Sequence, residues 1–317
     1  MVTNDTVSKK RVLIIGSGQI GVFSAKRLQD SGANVFIADI APQAGFINRY
    51  GSCEEIFHTD ITDPLQVERL FVTVKPHIVI MAYGISTKEI HENEKTAESV
   101  NVTSVHTIVT HAIRFKVERL IYTSSFAVYQ NPGSKNFISE EDPFQNNSLY
   151  AAHKIKAETI LRNNADAYLK IIILRLCGSY GPNMYNKGSQ SSRFIESLIL
   201  LAENKRNINL VRTTADEFIY VKDIAKAIAT CCHADFQEQV NTYNISSGLI
   251  TQVDDIKHAL NENFGSVTIN LVEDERARAE KVPLCIEKAK KELTFYPDYN
   301  LSEGIKDFKQ LVNFKIE

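Results

Sequence analysis

Short apolar runs recur along the chain and alternate with longer segments whose apolar residues are spaced as in a helix. The runs lie at residues 12–15, 35–38, 78–82, 119–123 and 171–175. Runs of this length and hydrophobicity are typical of strands buried on both faces of a parallel sheet. The segment 64–74 is predicted to be a helix, and Pro76 marks the start of the next strand. The alternation predicts an α/β fold with a doubly wound parallel sheet and right-handed crossovers.

A glycine-rich segment follows the first apolar run. Gly16, Gly18 and Gly21 form a G-x-G-x-x-G pattern at the start of a predicted helix. Such glycines allow a tight turn, close approach of a pyrophosphate to the backbone, and close packing of helix on strand. Asp39 ends the second predicted strand, where a carboxylate accepts hydrogen bonds from ribose hydroxyls. The segment therefore predicts dinucleotide binding, with NAD preferred over NADP.

Three further polar residues suggest proton-transfer chemistry. Tyr150 and Lys154 are four residues apart, so a helix would place them on one face, one turn apart. An ammonium near a phenol favours the phenolate, which can exchange a proton with a substrate hydroxyl. Ser125 lies upstream in the run LIYTSSFAVY and could hold the same substrate oxygen. We predict Ser125, Tyr150 and Lys154 as the catalytic residues.

Several other segments occur in a specific order that resembles a known family. They are HTDITD (58–63), IVIMAYG (78–84), ESVNVTSV around Asn101, RLCGSYGP (175–182), EFIYVKDIAKAI (217–228) and TYNISSG (242–248). Together with the glycine-rich start and the Ser–Tyr–Lys trio, they resemble the extended short-chain dehydrogenases/reductases, the NAD-dependent epimerase/dehydratase family. The resemblance extends over nearly the whole chain. It implies a Rossmann-type fold with a smaller C-terminal substrate-binding lobe.

The resemblance assigns cofactor contacts along the chain. Asp60 and Ile61 would flank the adenine, Ala82 to Ser86 would line the pyrophosphate and nicotinamide ribose, and Cys177 would lie beside the nicotinamide. Asn101 would support the active-site helix. The predicted cofactor-binding set is Gly16, Gly18, Gln19, Ile20, Gly21, Asp39, Asp60, Ile61, Ala82, Tyr83, Gly84, Asn101, Tyr150, Lys154 and Cys177.

The same resemblance divides the chain into two parts. Residues 1–182 would form the NAD-binding Rossmann domain, and 218–246 would return to it. Residues 183–217 and 247–317 would form the substrate-binding lobe. The polar loop GPNMYNKGSQSS (181–192) marks the transition.

Departures from the family pattern narrow the predicted chemistry. Sugar-nucleotide dehydratases and decarboxylases carry acids directly after the serine or threonine, whereas this chain has Phe126 and Ala127. Neither side chain can transfer a proton, so dehydration and decarboxylation are disfavoured. Gly178 replaces an asparagine that meets the substrate phosphates, and Asp216 replaces an arginine that clamps a diphosphate. An aspartate there is expected to repel a diphosphate.

Three functions remain open. The first is an NAD-dependent epimerase of a sugar or sugar nucleotide, which works by reversible hydride transfer through a keto intermediate. The second is an NAD-dependent dehydrogenase or reductase of a small, non-nucleotide hydroxy or keto compound, and the third is a non-catalytic dinucleotide-sensing protein. The predicted substrate contacts are Ser86, Thr87, Ser125, Arg193 and Arg212, with Lys187 as a further basic candidate.

Composition excludes several other classes. Thirty-six basic against 38 acidic residues leave a net charge of −2, which predicts no nucleic-acid partner. No apolar stretch approaches the roughly 18 residues of a membrane helix, so no membrane association is predicted. Five scattered cysteines without metal-ligand spacing predict no metal site and a cytoplasmic location.

The apolar stripe of the helix beginning near Glu98 predicts a homodimer through a four-helix bundle. This stripe is Val102, Val105, Ile108, Val109 and Ala112.

Overall fold

The computed structural model of the protein describes residues 7, 9–130, 135–183, 189–273 and 281–312. Lys187 therefore lies outside the described residues. The strands are β1 (Arg11–Ile15), β2 (Asn34–Asp39), β3 (Glu55–His58), β4 (Ile78–Met81), β5 (Arg119–Ser125), β6 (Lys170–Leu176), β7 (Gly178–Tyr180), β8 (Ile208–Val211), β9 (Ala215–Asp216), β10 (Phe218–Tyr220), β11 (Val240–Ile245), β12 (Thr251–Gln252) and β13 (Ile269–Val272).

Helices connect these strands. They are α1 (Gln19–Asp30), α2 (Ala44–Tyr50), α3 (Pro64–Val74), α4 (Thr87–Glu92), α5 (Glu94–Glu98), α6 (Ser104–Arg114), α7 (Leu149–Asn163), α8 (Gln190–Glu203), α9 (Val221–Cys231), α10 (Val253–Phe264), α11 (Glu287–Leu293) and α12 (Leu301–Leu311). A π-helical segment, Ser99–Thr103, joins α5 to α6, and a short 3₁₀ turn, Phe126–Val128, follows β5. No helix within the described ranges is long and apolar enough to span a membrane.

The central sheet has seven parallel strands in the order β11-β6-β5-β4-β1-β2-β3. The five predicted apolar runs form β1, β2, β4, β5 and β6. Successive residues of β1 pack alternately into two hydrophobic cores, one on each face of the sheet. The predicted helix 64–74 is α3, which Asp63 caps by accepting a hydrogen bond from the Leu65 N–H at 2.9 Å. The α/β fold class is confirmed, but the apolar pattern did not reveal the edge strand β3, whose residues are not fully buried.

The part of the chain that begins at Gly178 contains smaller sheets and most of a third hydrophobic core. β7 pairs with β10, β8 with β13, and β9 with β12. The third core combines side chains of α8, α10 and α12, among them Ile195, Leu260 and Phe308. β11 pairs with β6, so the segment after residue 218 contributes a strand to the central sheet. This packing agrees with the predicted division into two parts, whose boundaries stay a prediction.

The apolar stripe of α6 does not face outward. Val105, Ile108, Val109 and Ala112 are fully buried in the core on one face of the sheet, and the 9% exposed Val102 is nearly so. The outer face of α6 instead presents polar side chains such as those of His106 and Thr110. The interpretation of this stripe as a contact between two chains was wrong, because the monomer itself covers it. Homodimerisation therefore loses its support from this stripe.

A buried ion pair joins the central strands to α7. Arg175 and Glu158 are almost completely buried, and the guanidinium donates from Nε and an Nη to the two carboxylate oxygens at 3.0 and 2.7 Å. Ser124 donates to the same carboxylate at 2.6 Å. Burial alone would raise the pKa of Glu158, but the hydrogen bonds and charge of Arg175 outweigh it and lower that pKa. The pair holds α7 in register with β5 and β6.

Removing Glu158 tests the structural importance of this pair. We expect Glu158→Ala to lower the free energy of unfolding by about 3–5 kcal/mol, because it leaves the Arg175 charge buried without its carboxylate. The matched control is Glu68→Ala, which removes the exposed pair with Arg114 and should cost no more than about 1 kcal/mol. Urea unfolding at neutral pH measures both values. Similar losses in the two variants would contradict this assignment.

Candidate active site

A cavity of about 1120 Å³ opens at the carboxyl ends of β1, β4, β5 and β6. Ligands bind at this edge of open parallel sheets, because the loops that follow the strands meet there. Among its lining residues are Gly18, Gln19, Ile20, Ala82, Tyr83, Gly84, Ser86, Thr87, Ser125, Phe126, Ala127, Tyr150, Lys154, Cys177, Arg193, Asp216 and Lys281.

The structure assembles the predicted catalytic trio in this cavity. Ser125 is the last residue of β5, and its hydroxyl accepts a hydrogen bond from the Ala127 N–H at 3.2 Å. Tyr150 lies in the first turn of α7, whose start Ser148 caps through the Ala151 N–H at 3.1 Å. Ser125 and Tyr150 both line the cavity, and their side chains lie close to one another there. The helix cap thus places the phenol beside the end of β5.

Lys154 completes the trio from one turn further along α7. Its ammonium donates to the Thr123 carbonyl at 2.8 Å and lies 5.8 Å from the centroid of the Tyr150 ring. Burial lowers the pKa of Lys154 to about 8, although the nearby Glu158 carboxylate acts in the opposite direction. The lysine therefore carries its positive charge at neutral pH and loses it in mildly alkaline solution.

The pKa of Tyr150 shifts in the direction opposite to the one expected from its neighbouring lysine. Burial raises the pKa of the phenol, and the hydrogen bond with Ser125 offsets only part of that rise. The Lys154 ammonium is directed at the Thr123 carbonyl. Tyr150 is therefore protonated at neutral pH and ready to donate a proton.

Asn101 fixes the segment that follows β4. It lies in the π-helical segment, a distortion that often accompanies functional sites. Its amide accepts from the Ile85 N–H at 2.8 Å, donates to the Ile85 carbonyl at 3.0 Å, and lies 3.4 Å from the Nδ1 of the buried His153. Asn101 is 3% exposed and does not line the cavity. It holds the backbone of Ile85, which lies between the cavity-lining residues Gly84 and Ser86.

The three glycines of the N-terminal pattern have different surroundings. A Cβ on Gly16, whose φ is +106°, would lie 2.5 Å from the Ala82 carbonyl oxygen, and one on Gly21 would lie 2.0 Å from the Gly16 carbonyl oxygen. A Cβ on Gly18 would meet nothing within 4 Å. Gly16 and Gly21 therefore serve chain packing, whereas Gly18 leaves open space beside the start of α1. That space fits the approach of a dinucleotide pyrophosphate.

Other predicted cofactor residues surround this loop without lining the cavity. The Asp39 carboxylate accepts hydrogen bonds from the Ser17 N–H at 2.7 Å and its hydroxyl at 2.9 Å, so it lies against the glycine-rich loop. Asp60 and Ile61 follow β3, and Asp60 accepts from the Thr62 N–H at 2.8 Å. Gln19, by contrast, lines the cavity, and its side-chain amide donates to the Gly181 carbonyl at 2.6 Å.

The substrate side of the cavity agrees only in part with the prediction. Ser86, Thr87 and Arg193 line it, but Arg212 does not, because its guanidinium forms an exposed ion pair with Glu273 at 2.6 Å. Gly178 is closely packed, since a Cβ there would lie 2.5 Å from the Ser191 hydroxyl oxygen. An asparagine would not fit at this position without movement of α8. Within the described ranges, no cluster of His, Cys, Asp and Glu could hold a metal ion.

Asp216 differs most from its sequence-based interpretation. Its carboxylate forms an ion pair with Lys281 at 2.7 Å, and both residues line the cavity. The expectation that Asp216 repels a diphosphate did not include Lys281, a residue distant in sequence that pairs with this carboxylate. Lys281 was missed in the sequence, where only its basic character and its place in a charged run could have suggested it.

Comparisons with known proteins agree with this geometry. The model of the "NAD dependent epimerase/dehydratase family" matches residues 12–246. The chain belongs to this family. It is 27% identical over 261 residues to the dTDP-D-glucose 4,6-dehydratase of Bos taurus, a match that covers 78% of this chain and 70% of that protein. Family membership confirms the resemblance seen in the sequence, and the family is NAD-dependent.

Two further comparisons concern epimerases. The chain is 25% identical over 258 residues to the UDP-glucose 4-epimerase of Halalkalibacterium halodurans, with 74% of each protein covered. The solved structure of the UDP-glucose 4-epimerase of Thermotoga maritima with UDP-glucose is similar, with a TM-score of 0.80 at 21% identity. That match covers 95% of this chain and 97% of the other. It supports the Rossmann-type architecture of the family.

The glycine loop offers a matched pair of variants. We expect Gly18→Ala to keep nearly wild-type stability. It should weaken NAD binding at least about tenfold, because the methyl group would keep the pyrophosphate from the backbone and so remove a charge-assisted hydrogen bond. Gly21→Ala should instead lower the free energy of unfolding by about 1–3 kcal/mol, because its methyl group has no space. Urea unfolding and calorimetric titration with NAD measure the two effects. Unchanged NAD affinity in Gly18→Ala would contradict the proposed contact.

Proposed function

We propose that the protein is an NAD-dependent epimerase of a sugar nucleotide that works by reversible hydride transfer through a keto intermediate. One observation carries this proposal. Ser125, Tyr150 and Lys154 meet in one cavity, and the side chains that follow the serine there, Phe126 and Ala127, cannot transfer a proton. Such a site can oxidise and reduce a hydroxyl-bearing carbon, but it lacks the additional acid that elimination of water requires at this position.

The trio divides the proton chemistry among its members. Ser125 holds the substrate oxygen. Tyr150 first releases its phenolic proton to solvent, and the phenolate then takes the proton of the substrate hydroxyl during oxidation and returns it during reduction. NAD, when bound, accepts and returns the hydride. Lys154 keeps a positive charge near the phenol at neutral pH, which stabilises the phenolate each time it forms. The raised pKa of Tyr150 makes that phenolate a strong base.

The surrounding residues fit NAD. The open space at Gly18 and the first turn of α1, with Gln19 and Ile20, would receive the pyrophosphate. Asp39 would bind the adenosine ribose, and Asp60 and Ile61 would contact the adenine. The residues that would contact the nicotinamide ribose are Ala82, Tyr83, Gly84 and Lys154. Cys177 would lie beside the nicotinamide, and burial raises its pKa, so its thiol stays neutral.

The substrate assignment draws support from the relatives and from the cavity. Two of the relatives are named as a dTDP-D-glucose 4,6-dehydratase and a UDP-glucose 4-epimerase. Ser86, Thr87 and Arg193 line the cavity and can contact a polar substrate. A cytoplasmic location is part of the same proposal, since the five cysteines are free thiols and suit a reducing compartment.

Removing the phenolic oxygen tests the mechanism. We expect Tyr150→Phe to lower kcat at least about a hundredfold, the lower end for loss of general acid–base catalysis, while NAD affinity changes only modestly. The control is Tyr168→Phe, because Tyr168 is 81% exposed. The assay follows interconversion of UDP-, dTDP- and GDP-sugar epimers by chromatography and reduced nicotinamide by absorbance. Nearly wild-type turnover in Tyr150→Phe would reject the mechanism, and steady accumulation of NADH would favour the dehydrogenase alternative.

We further propose that the protein is a homodimer that pairs α6 and α7 with their counterparts in a second chain. Since the apolar stripe of α6 is buried, the contact must use the outer faces, where His106, Thr110 and Lys156 are exposed. Light scattering at micromolar concentration should give twice the 35.7 kDa mass of the chain. Thr110→Arg should shift the mass towards the monomer, because it adds bulk and charge at this face. A monomeric mass for the unaltered protein would refute the dimer.

A further inference from the structure

The Asp216–Lys281 ion pair lies in the wall of the active-site cavity. The ammonium and the carboxylate are 2.7 Å apart, and the side chains of Lys281 and Asp216 are 43% and 33% exposed. Arg193 lines the same cavity from α8. A charged pair at this location is accessible to a ligand and is not a buried packing contact.

Neighbouring contacts hold both members of the pair in place. Asp216 ends β9, which pairs with β12, and its carboxylate also accepts from the Glu217 N–H at 2.9 Å. The adjacent Glu217 carboxylate accepts from the Leu284 N–H at 3.0 Å. The Pro283 carbonyl accepts from the Ile138 N–H at 3.0 Å. Two successive acids therefore fix the segment that carries Lys281 against the cavity wall.

The pair reverses the charge arrangement that the family resemblance implies. An arginine is expected at position 216, whereas this chain has an acid there and a lysine from another segment beside it. A lysine ammonium has three N–H donors, and the bond to Asp216 uses one of them. The other two can donate to an anion in the cavity without breaking the ion pair.

We infer that Lys281, positioned by Asp216, binds the anionic part of the substrate, which is the diphosphate that links the nucleoside to the sugar. This inference rests on the proposed function, because it takes the substrate class from there. In this arrangement Lys281 supplies the positive charge that an arginine at position 216 is expected to supply in the family. Asp216 contributes by holding the lysine and has no direct contact with the substrate.

Titration with nucleoside diphosphates tests this binding residue. The full-length protein is saturated with NAD, so that the probe cannot occupy the cofactor site, and is titrated calorimetrically with UDP, dTDP and GDP. Lys281→Met should weaken binding of the preferred diphosphate at least about tenfold, and Lys281→Arg should restore most of it. The control is Lys290→Met, since Lys290 pairs with Glu287 on α11 and does not line the cavity; it should bind like wild type.

A charge-swapped variant separates binding from folding. Asp216→Lys combined with Lys281→Asp keeps one cation and one acid in the cavity wall, so diphosphate affinity should stay within about fivefold of wild type. Lys281→Asp alone places two acids together and should abolish measurable binding. Because the pair is partly exposed, the melting temperature of Lys281→Met should change by less than about 3 °C.

Two outcomes would overturn the inference in different ways. Equal diphosphate affinity of wild type and Lys281→Met would reject Lys281 as a substrate contact and leave the proposed function intact. If no diphosphate binds to NAD-saturated wild type at millimolar concentration, the sugar-nucleotide substrate is rejected, and the assignment of Lys281 with it.

Discussion

The buried contact between Glu158 and Arg175 is the constraint on which the geometry of the site depends. Glu158 lies one turn after Lys154 on α7, and its carboxylate binds Ser124 on β5 and Arg175 on β6. Ser124 directly precedes Ser125, so the same carboxylate sets the helix with the proposed acid–base tyrosine against the strand with the proposed serine. Breaking such a pair is costly because a charge would remain buried without a partner. The register of the site and the stability of the core are therefore linked.

A second set of contacts determines the shape of the cavity wall beside the proposed NAD-binding residues. The amide of Asn101 holds both backbone polar groups of Ile85, and a Cβ on the adjacent Gly84 would lie 3.7 Å from the Lys154 ammonium. The wall between β4 and the π-helical segment thus closely approaches the proposed catalytic lysine. A dinucleotide entering from the Gly18 side would meet a preformed surface. Such preorganisation lowers the entropic cost of orienting the cofactor.

The family contains enzymes with different outcomes, because function resides in the site and not in the fold. The relatives of this chain include dehydratases and epimerases. Here the residues after Ser125 are a half-exposed Phe126 and Ala127, neither of which can transfer a proton. The charged residues Arg193, Asp216 and Lys281 also line the cavity. This chemistry suits a substrate that is oxidised and reduced at one carbon and held elsewhere by charge.

Local patterns in the sequence determined the sheet, the glycine-rich loop and the Ser–Tyr–Lys trio. Their signals are apolar runs, glycine spacing and helical spacing, which are visible in residues close together in the chain, and the order of the motifs linked Ser125 to Tyr150 and Lys154. Tertiary structure alone decided that Lys281 pairs with Asp216 in the cavity wall and that Arg212 pairs with Glu273 outside it. It also decided that burial raises the pKa of Tyr150. Charge pairing and desolvation act over a few ångströms in space, so they depend on which distant segments the fold brings together.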